Sequence, residues 1–236
     1  MRMNGGKALM DRHAPAALTD TAQRGYDESK TLIDRWHGKD RLHYAITPRF
    51  AASSTPDQLA AAGALWGEYP STYVQSHLAE TVAGNAWVAE LYPDRAGYLD
   101  VYDHFGLIDE RSLYGHGIYL NEAEWQRIAE TGTAIAHCPT SNQFFDSGLF
   151  YIGAAKKPGR PVRVGLATDL GAGTSFSMLR IMAAAYSVAR LGGRGLRATQ
   201  ACYLATRGAA EPLMLDDKIG SLAPGMDADV IVLDLK

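Results

Sequence analysis

Cysteine is scarce in this chain: Cys138 and Cys202 are the only two, far apart and outside any CxxC spacing. That excludes a disulfide framework and a thiolate zinc knuckle, and it fits a reducing cytoplasm. No run of 18 or more apolar residues occurs, and residues 1–13 lack the apolar stretch that a secretory signal requires. The chain is therefore expected to be neither exported nor membrane-spanning. An excess of positive charge is missing too. With 23 Lys and Arg against 26 Asp and Glu, the formal net charge is -3, which offers no basic footprint for a nucleic-acid backbone. Neither a GxGxxG nor a GxxxxGK[ST] loop appears, so the phosphate-cradling fingerprints of open α/β sheets are absent. A small-molecule role is what these absences leave.

What is there reads as a folded α/β protein. A hydrophobic fraction of 47% with 21% charge is ordinary for a globular domain. Short β-rich runs alternate with longer helical patterns, the signature of parallel strands joined by helical crossovers. The expected strands are Gly6 to Met10, Leu42 to Thr47, Thr72 to His77, Ser112 to His116, Ala134 to His137 and Val162 to Thr168. Helical patterns run from Thr21 to His37, from Thr55 towards Tyr69, from Asn121 to Glu130, from Ser175 to Leu191 and from Thr199 to Gly208. Thr55-Pro56 supplies a capping residue followed by proline at the first helical position, and Gly192-Gly193 a C-terminal stop. Beyond Ala223-Pro224-Gly225 the character changes, and Ala228 to Leu233 reads as a strand outside the βα alternation. Six strands fall short of the eight of a closed barrel. The expected fold class is an incomplete (β/α)8 TIM-type barrel lacking about its first two strands. Residues 1–222 would form this partial barrel and residues 223–236 the start of a C-terminal β-sandwich element.

The polar residues fall in an informative place. His77, His116 and His137 each end a strand, and Asp169 ends a fourth. In a parallel barrel these positions converge on one rim, where active sites of this architecture form. Imidazole nitrogen and carboxylate oxygen are the donors zinc takes in catalytic sites. Glu80, three residues beyond His77, sits where a general acid/base would reach a metal-bound water. Each residue also has a bland reading: a hydrogen-bonded structural histidine, a turn-capping Asp169, a solvated first-turn Glu80. Trp66, Trp87 and Trp125 read as packing residues within helices. Arg49-Phe50, after Thr47-Pro48 at a strand end, pairs a guanidinium with an aromatic ring and could bind a flat, carbonyl-bearing heterocycle.

At this point the chain resembles a known family. Ser76-His77-Leu78-Ala79-Glu80 is similar to the S-H-x-x-E segment of guanine deaminases, and Tyr114-Gly115-His116-Gly117-Ile118-Tyr119-Leu120 to their H-G-x-x-L segment. Ala136-His137-Cys138-Pro139-Thr140-Ser141-Asn142 resembles the H-C-P-x-S-N stretch of the amidohydrolase superfamily, and Gly165-Leu166-Ala167-Thr168-Asp169 its G-x-x-T-D strand end. Thr47-Pro48-Arg49-Phe50, Ser147-Gly148-Leu149-Phe150 and residues 171–178 point more narrowly to the guanine deaminases. The resemblance implies a metal site of His77, His116 and Asp169 holding one zinc ion, with iron the alternative. It makes Glu80, Asp169 and His116 the catalytic groups, and Arg49, Phe50 and His137 the substrate-binding ones. The implied reaction is hydrolytic deamination of guanine to xanthine and ammonia in a cytoplasmic enzyme. Its partner is a small purine, with no nucleic acid and no membrane; a homodimer is compatible with the resemblance.

One element of the pattern is missing. The family's H-x-H pair, at the end of its first barrel strand, occurs nowhere in the 236 residues. The expectation is that this pair and the first two strands lie upstream, so that the chain corresponds to the last two-thirds of a deaminase and is incomplete as a catalyst. Two other readings stay open. One is a deaminase or hydrolase of another amine-bearing heterocycle, such as an adenosine-like nucleoside, cytosine or a triazine. The other is a non-catalytic barrel fragment acting as a scaffold.

Overall fold

Parallel pairing runs through the sheet in strict sequence order. The computed structural model describes residues 2–234. The first position is an interrupted strand, β1 (Met3–Gly5) and β2 (Ala8–Leu9), both of which pair in parallel with β3 (Leu42–Pro48). Gly6 makes the interruption: a Cβ there would fall 1.9 Å from the Ala45 carbonyl oxygen, so only glycine permits so close an approach. The sheet continues through β4 (Tyr73–Leu78), β5 (Ser112–His116) and β6 (Ala134–His137). A short antiparallel hairpin, β7 (Lys156–Lys157) and β8 (Arg160–Pro161), stands apart from the sheet. The last sheet position is β9 (Arg163–Leu166), paired with β6. Among the described residues β1 and β9 do not meet, so the sheet is an open half-barrel.

Helices cover the crossovers, and their starts follow local chemistry. In α1 (Ala22–Trp36) the Thr21 hydroxyl accepts from the Arg24 amide at 3.1 Å. In α2 (Pro56–Glu68) Thr55 does the same for Gln58, with Pro56 at the first position. Next come α3 (Val82–Leu91) and α4 (Tyr98–His104), then α5 (Glu122–Thr131). Asn121 and Glu124 form a reciprocal capping box on α5 at 3.0 and 2.9 Å. Beyond β6 come α6 (Pro139–Phe144) and α7 (Ile152–Ala155). After β9 follow α8 (Met178–Leu191), α9 (Ala198–Ala205) and α10 (Arg207–Ala210). The core lies between sheet and helices. Ile46, Val74, Leu78, Tyr114 and Ile135 from the strands meet Leu59, Leu65, Ile128 and Ile181 from the helices, all without solvent exposure. Each such aliphatic side chain contributes about 1.5–3 kcal/mol by leaving water.

Several expectations change in detail. The first strand begins earlier, at Met3, and is split. The helical pattern from Thr199 breaks at Thr206, whose φ of -122° and ψ of -101° separate α9 from α10. The strand expected over Ala228 to Leu233 is not formed among the described residues. No neighbouring strand pairs with it, and an apolar alternation without a partner has no hydrogen-bond ladder to join. Val232 there is 95% exposed. No helix among the described residues is long and apolar enough to cross a membrane.

Candidate active site

Register brings the strand ends together. His77 pairs with Gly115, Leu78 with His116, Gly115 with Ala136, and His137 with Leu166, so four carboxyl ends lie at one level. The chain turns sharply there. Ala79, His116 and Asp169 adopt left-handed φ values of 46°, 74° and 46°. Non-glycine residues in this region cost on the order of 1–3 kcal/mol each and persist where the surroundings hold them. Here the Gly117 amide donates to the Leu78 carbonyl at 2.9 Å, and the Ile118 and Tyr119 amides to Ala79 at 3.0 Å. At Gly173 a Cβ would lie 1.8 Å from the Thr168 carbonyl oxygen, so the loop closing on Asp169 requires glycine.

A cavity of about 840 Å³ opens over this rim, in the range of small-molecule sites. Arg49, Phe50, His77, Glu80, Trp87, His116, Phe145 and Asp169 line it. A smaller one of about 290 Å³ lies beneath, bounded by Thr47, Gln75, Gly115 and Cys138 and sharing Arg49, His77, His116 and Asp169. The Arg49 carbonyl accepts from the His77 amide at 3.2 Å, from the Ser76 hydroxyl at 3.1 Å and from His77 Nδ1 at 2.7 Å. These bonds tie the end of β3 to that of β4. The Arg49 guanidinium stands 5.4 Å from the centre of the Phe50 ring, and Phe50 meets Trp87 edge to face at 5.9 Å.

The polar groups converge on His116, which is 2% exposed. Its Nε2 is 3.6 Å from Glu80 Oε2 and 3.9 Å from Asp169 Oδ2, and its ring stacks on His77 at 5.3 Å between centres. Its Nδ1 is 2.8 Å from Asn142 Oδ1. The Ser147 hydroxyl donates to Glu80 Oε1 at 3.0 Å, leaving Oε2 for the cavity. Burial holds the His77 pKa below the usual imidazole value, so its ring stays neutral at neutral pH. With Nδ1 donating to a carbonyl, the lone pair of His77 is on Nε2, the form a metal takes.

His116 and Asp169 fit a divalent metal, whereas His77 falls outside the group of ligand atoms that lie within 4.8 Å of one another. Two bonds of about 2.0–2.2 Å to one ion span at most about 4.4 Å. The His116–Asp169 separation of 3.9 Å lies inside that limit. Ligand-type atoms of His116, Cys138 and Asp169 all lie within 4.8 Å of one another. Cys138 is the weakest of the three: burial pushes its thiol well above the usual range, and it donates to the Ala136 carbonyl at 3.4 Å.

Of the residues expected from the sequence, Arg49, Phe50, His77, Glu80, His116 and Asp169 share the cavity. His137 lines neither cavity, and its expected place among the substrate-binding groups rests on the resemblance alone. Its neighbours Ala136 and Cys138 face the smaller cavity, so the pleat turns His137 away, onto Phe150 at 4.6 Å between ring centres. Burial lowers its pKa to about 3. Trp87, a helix-packing residue by its pattern, also walls the cavity, and no local pattern marks Asn142 or Ser147, which bond to His116 and Glu80. Asn142 and Ser147 belong to the family-like segments 136–142 and 147–150, but their partners stand 26 and 67 residues away in sequence.

The fold and this rim define a class. A profile of the "Amidohydrolase family" matches residues 1–236, and the chain belongs to that family. It is 50% identical over 234 residues to guanine deaminase of Escherichia coli (strain K12), covering 99% of this chain and 53% of that protein. The solved structure of the E. coli enzyme superposes with a TM-score of 0.94 at 51% identity, covering 97% of this chain and 53% of that one. Guanine deaminase from C. acetobutylicum, solved with guanine in its active site, follows at a TM-score of 0.87 and 29% identity, over 94% of this chain and 54% of that one. A zinc-bound adenosine deaminase from Xanthomonas campestris matches at 0.83 and 25% identity, over 95% and 50%. The chain spans about half the length of the relatives it matches, less than the two-thirds expected from its motifs.

Proposed function

We propose that this chain carries the purine-binding and proton-transfer part of a site for hydrolytic deamination of guanine to xanthine and ammonia. The observation that carries the reading is the meeting of His77, Glu80, His116 and Asp169 under a cavity walled by Arg49, Phe50 and Trp87. The half-length likeness to guanine deaminases supports the choice of substrate.

The roles follow from position. Phe50 and Trp87 give a flat heterocycle an aromatic wall, and the Arg49 guanidinium donates to a ring carbonyl. His77, His116 and Asp169 would hold zinc, or iron in its place; when bound, the metal supplies Lewis-acid activation of water at neutral pH. Asp169 takes a proton from the attacking water. The water oxygen bonds to the ring carbon bearing the exocyclic amine as that carbon's double bond to the adjacent ring nitrogen opens, and protonated Glu80 gives this nitrogen its proton. Glu80 then takes the proton of the added hydroxyl and passes it to that amine, the carbon–nitrogen bond breaks as the carbonyl forms, and ammonia leaves xanthine behind. The Ser147 hydrogen bond to one Glu80 oxygen aims the other at this task. Because the 236 residues hold no H-x-H pair, this chain alone is expected to bind guanine without turning it over.

Calorimetric titration tests the reading: guanine, adenosine, cytosine and a triazine are offered to the zinc-supplied chain and to an Arg49→Ala variant. Guanine should bind most tightly, and the variant should lose at least about tenfold, the scale of one charge-assisted hydrogen bond. Equal binding of all four, or guanine binding unaffected by Arg49→Ala, overturns the proposal.

A further inference from the structure

Asn142 is a buried polar residue with one partner. It lies in α6, is 1% exposed, and its Nδ2 makes no hydrogen bond, while its Oδ1 is 2.8 Å from His116 Nδ1. The helix holds it in place: its amide donates to Cys138 at 3.0 Å, and its carbonyl accepts from the Ser147 amide at 2.9 Å. An amide oxygen only accepts, so the ring nitrogen facing it must carry hydrogen. The other ring nitrogen, Nε2, stands 3.6 and 3.9 Å from the Glu80 and Asp169 oxygens, beyond the roughly 2.7–3.2 Å of a direct N–H···O bond. A proton on Nε2 would find no acceptor among these oxygens, whereas a proton on Nδ1 finds one at good distance.

His77 shows the same arrangement independently. Its Nδ1 donates to a backbone carbonyl, which has no alternative orientation, and its ring stacks on that of His116 with planes 28° apart. The two imidazoles are thus both held by Nδ1 from outside the cavity.

We infer that Asn142 is a positioning residue that fixes His116 in the Nδ1–H tautomer and so turns the Nε2 lone pair toward Glu80 and Asp169. The consequence for metal binding rests on the deaminase reading; the tautomer does not. A fixed tautomer spares His116 the choice between two nitrogens when it takes a ligand role, and outer partners of this kind commonly contribute about 10–100-fold in metal affinity.

Nitrogen-15 NMR of the His116 ring in the metal-free chain, above the imidazole pKa, tests this directly. The expected spectrum shows a protonated Nδ1 and a bare Nε2. A bare Nδ1 would mean that the Asn142 amide is turned round, and overturns the inference without a variant. Asn142→Asp keeps an acceptor oxygen and should keep the Nδ1–H signal. Asn142→Leu removes the acceptor and should move the proton to Nε2, weakening zinc binding by about 10–100-fold. Retention of the Nδ1–H signal in a folded Asn142→Leu chain also overturns it. Loss of guanine binding with the tautomer intact would count against the proposed function alone, and the reverse against this inference alone.

Discussion

His116 and His137 close adjacent strands in the same register, yet they end in opposite environments. Gly115 pairs with Ala136, so the two histidines, one residue further on, share a side of the pleat that faces away from the barrel interior. At the end of β5 the chain enters the left-handed region, φ 74°, and the His116 ring lines the cavity. At the end of β6 no such turn occurs, and His137 stays in the apolar layer against Phe150 with its Nδ1 unpartnered. The first strand end accepts backbone strain to gain chemistry. The second gains packing and holds a histidine that cannot be charged at any ordinary pH.

The comparison can be broken most forcefully at Phe150, which is 2% exposed and covers His137. Phe150→Ala should cost about 3–5 kcal/mol in urea unfolding, and should raise the His137 pKa as water enters. A loss below 1 kcal/mol would mean that this layer is not packed as described.

A smaller effect is expected from pH. The folded chain holds His137 at a pKa of about 3, while the unfolded chain titrates near the ordinary 6.5. Between those values the unfolded state binds a proton that the folded state refuses. Stability from this residue is therefore intact above pH 6.5 and falls with decreasing pH, by about 1.4 kcal/mol per unit, until pH 3. His77, whose pKa is also lowered, adds in the same direction. Urea midpoints at pH 7, 6 and 5 should show a shallower slope for His137→Asn than for the parent chain; parallel slopes would place the proton elsewhere.

The subtlest expectation separates function from stability. His116→Asn keeps a residue tolerant of left-handed backbone, so its loss of stability should be held to the roughly 1–3 kcal/mol of one broken buried hydrogen bond. Zinc binding, followed by calorimetry, should be lost in His116→Asn and unaffected in His137→Asn. Equal losses in both would remove the distinction between the two strand ends.

Much of this arrangement was legible in the chain. Thr21, Thr55 and Asn121 announce α1, α2 and α5 because capping is chemistry between residues three apart. His77, Glu80, His116 and Asp169 stand out because they follow apolar β-rich runs at repeated positions. Other helices stand out less: α3 is capped by Thr81, which accepts from the Gly84 amide at 2.9 Å, but it is apolar around most of its surface and shows no amphipathic face, and α4 has only seven residues. The strand pattern at Ala228 to Leu233 was legible and still did not form, because pairing depends on a neighbour.

By itself, then, the order of residues determined the βα alternation, the helix starts and the identity of the strand-end donors, since each depends on contacts within a few residues. Only the tertiary structure decided which strand-end histidine faces the cavity. That choice depends on a left-handed turn at His116 held by bonds from Gly117 to Leu78, and from Ile118 and Tyr119 to Ala79. It likewise decided that Asn142 and Ser147 reach His116 and Glu80, because the helix carrying them is docked by packing and not by any pattern local to their own sequence.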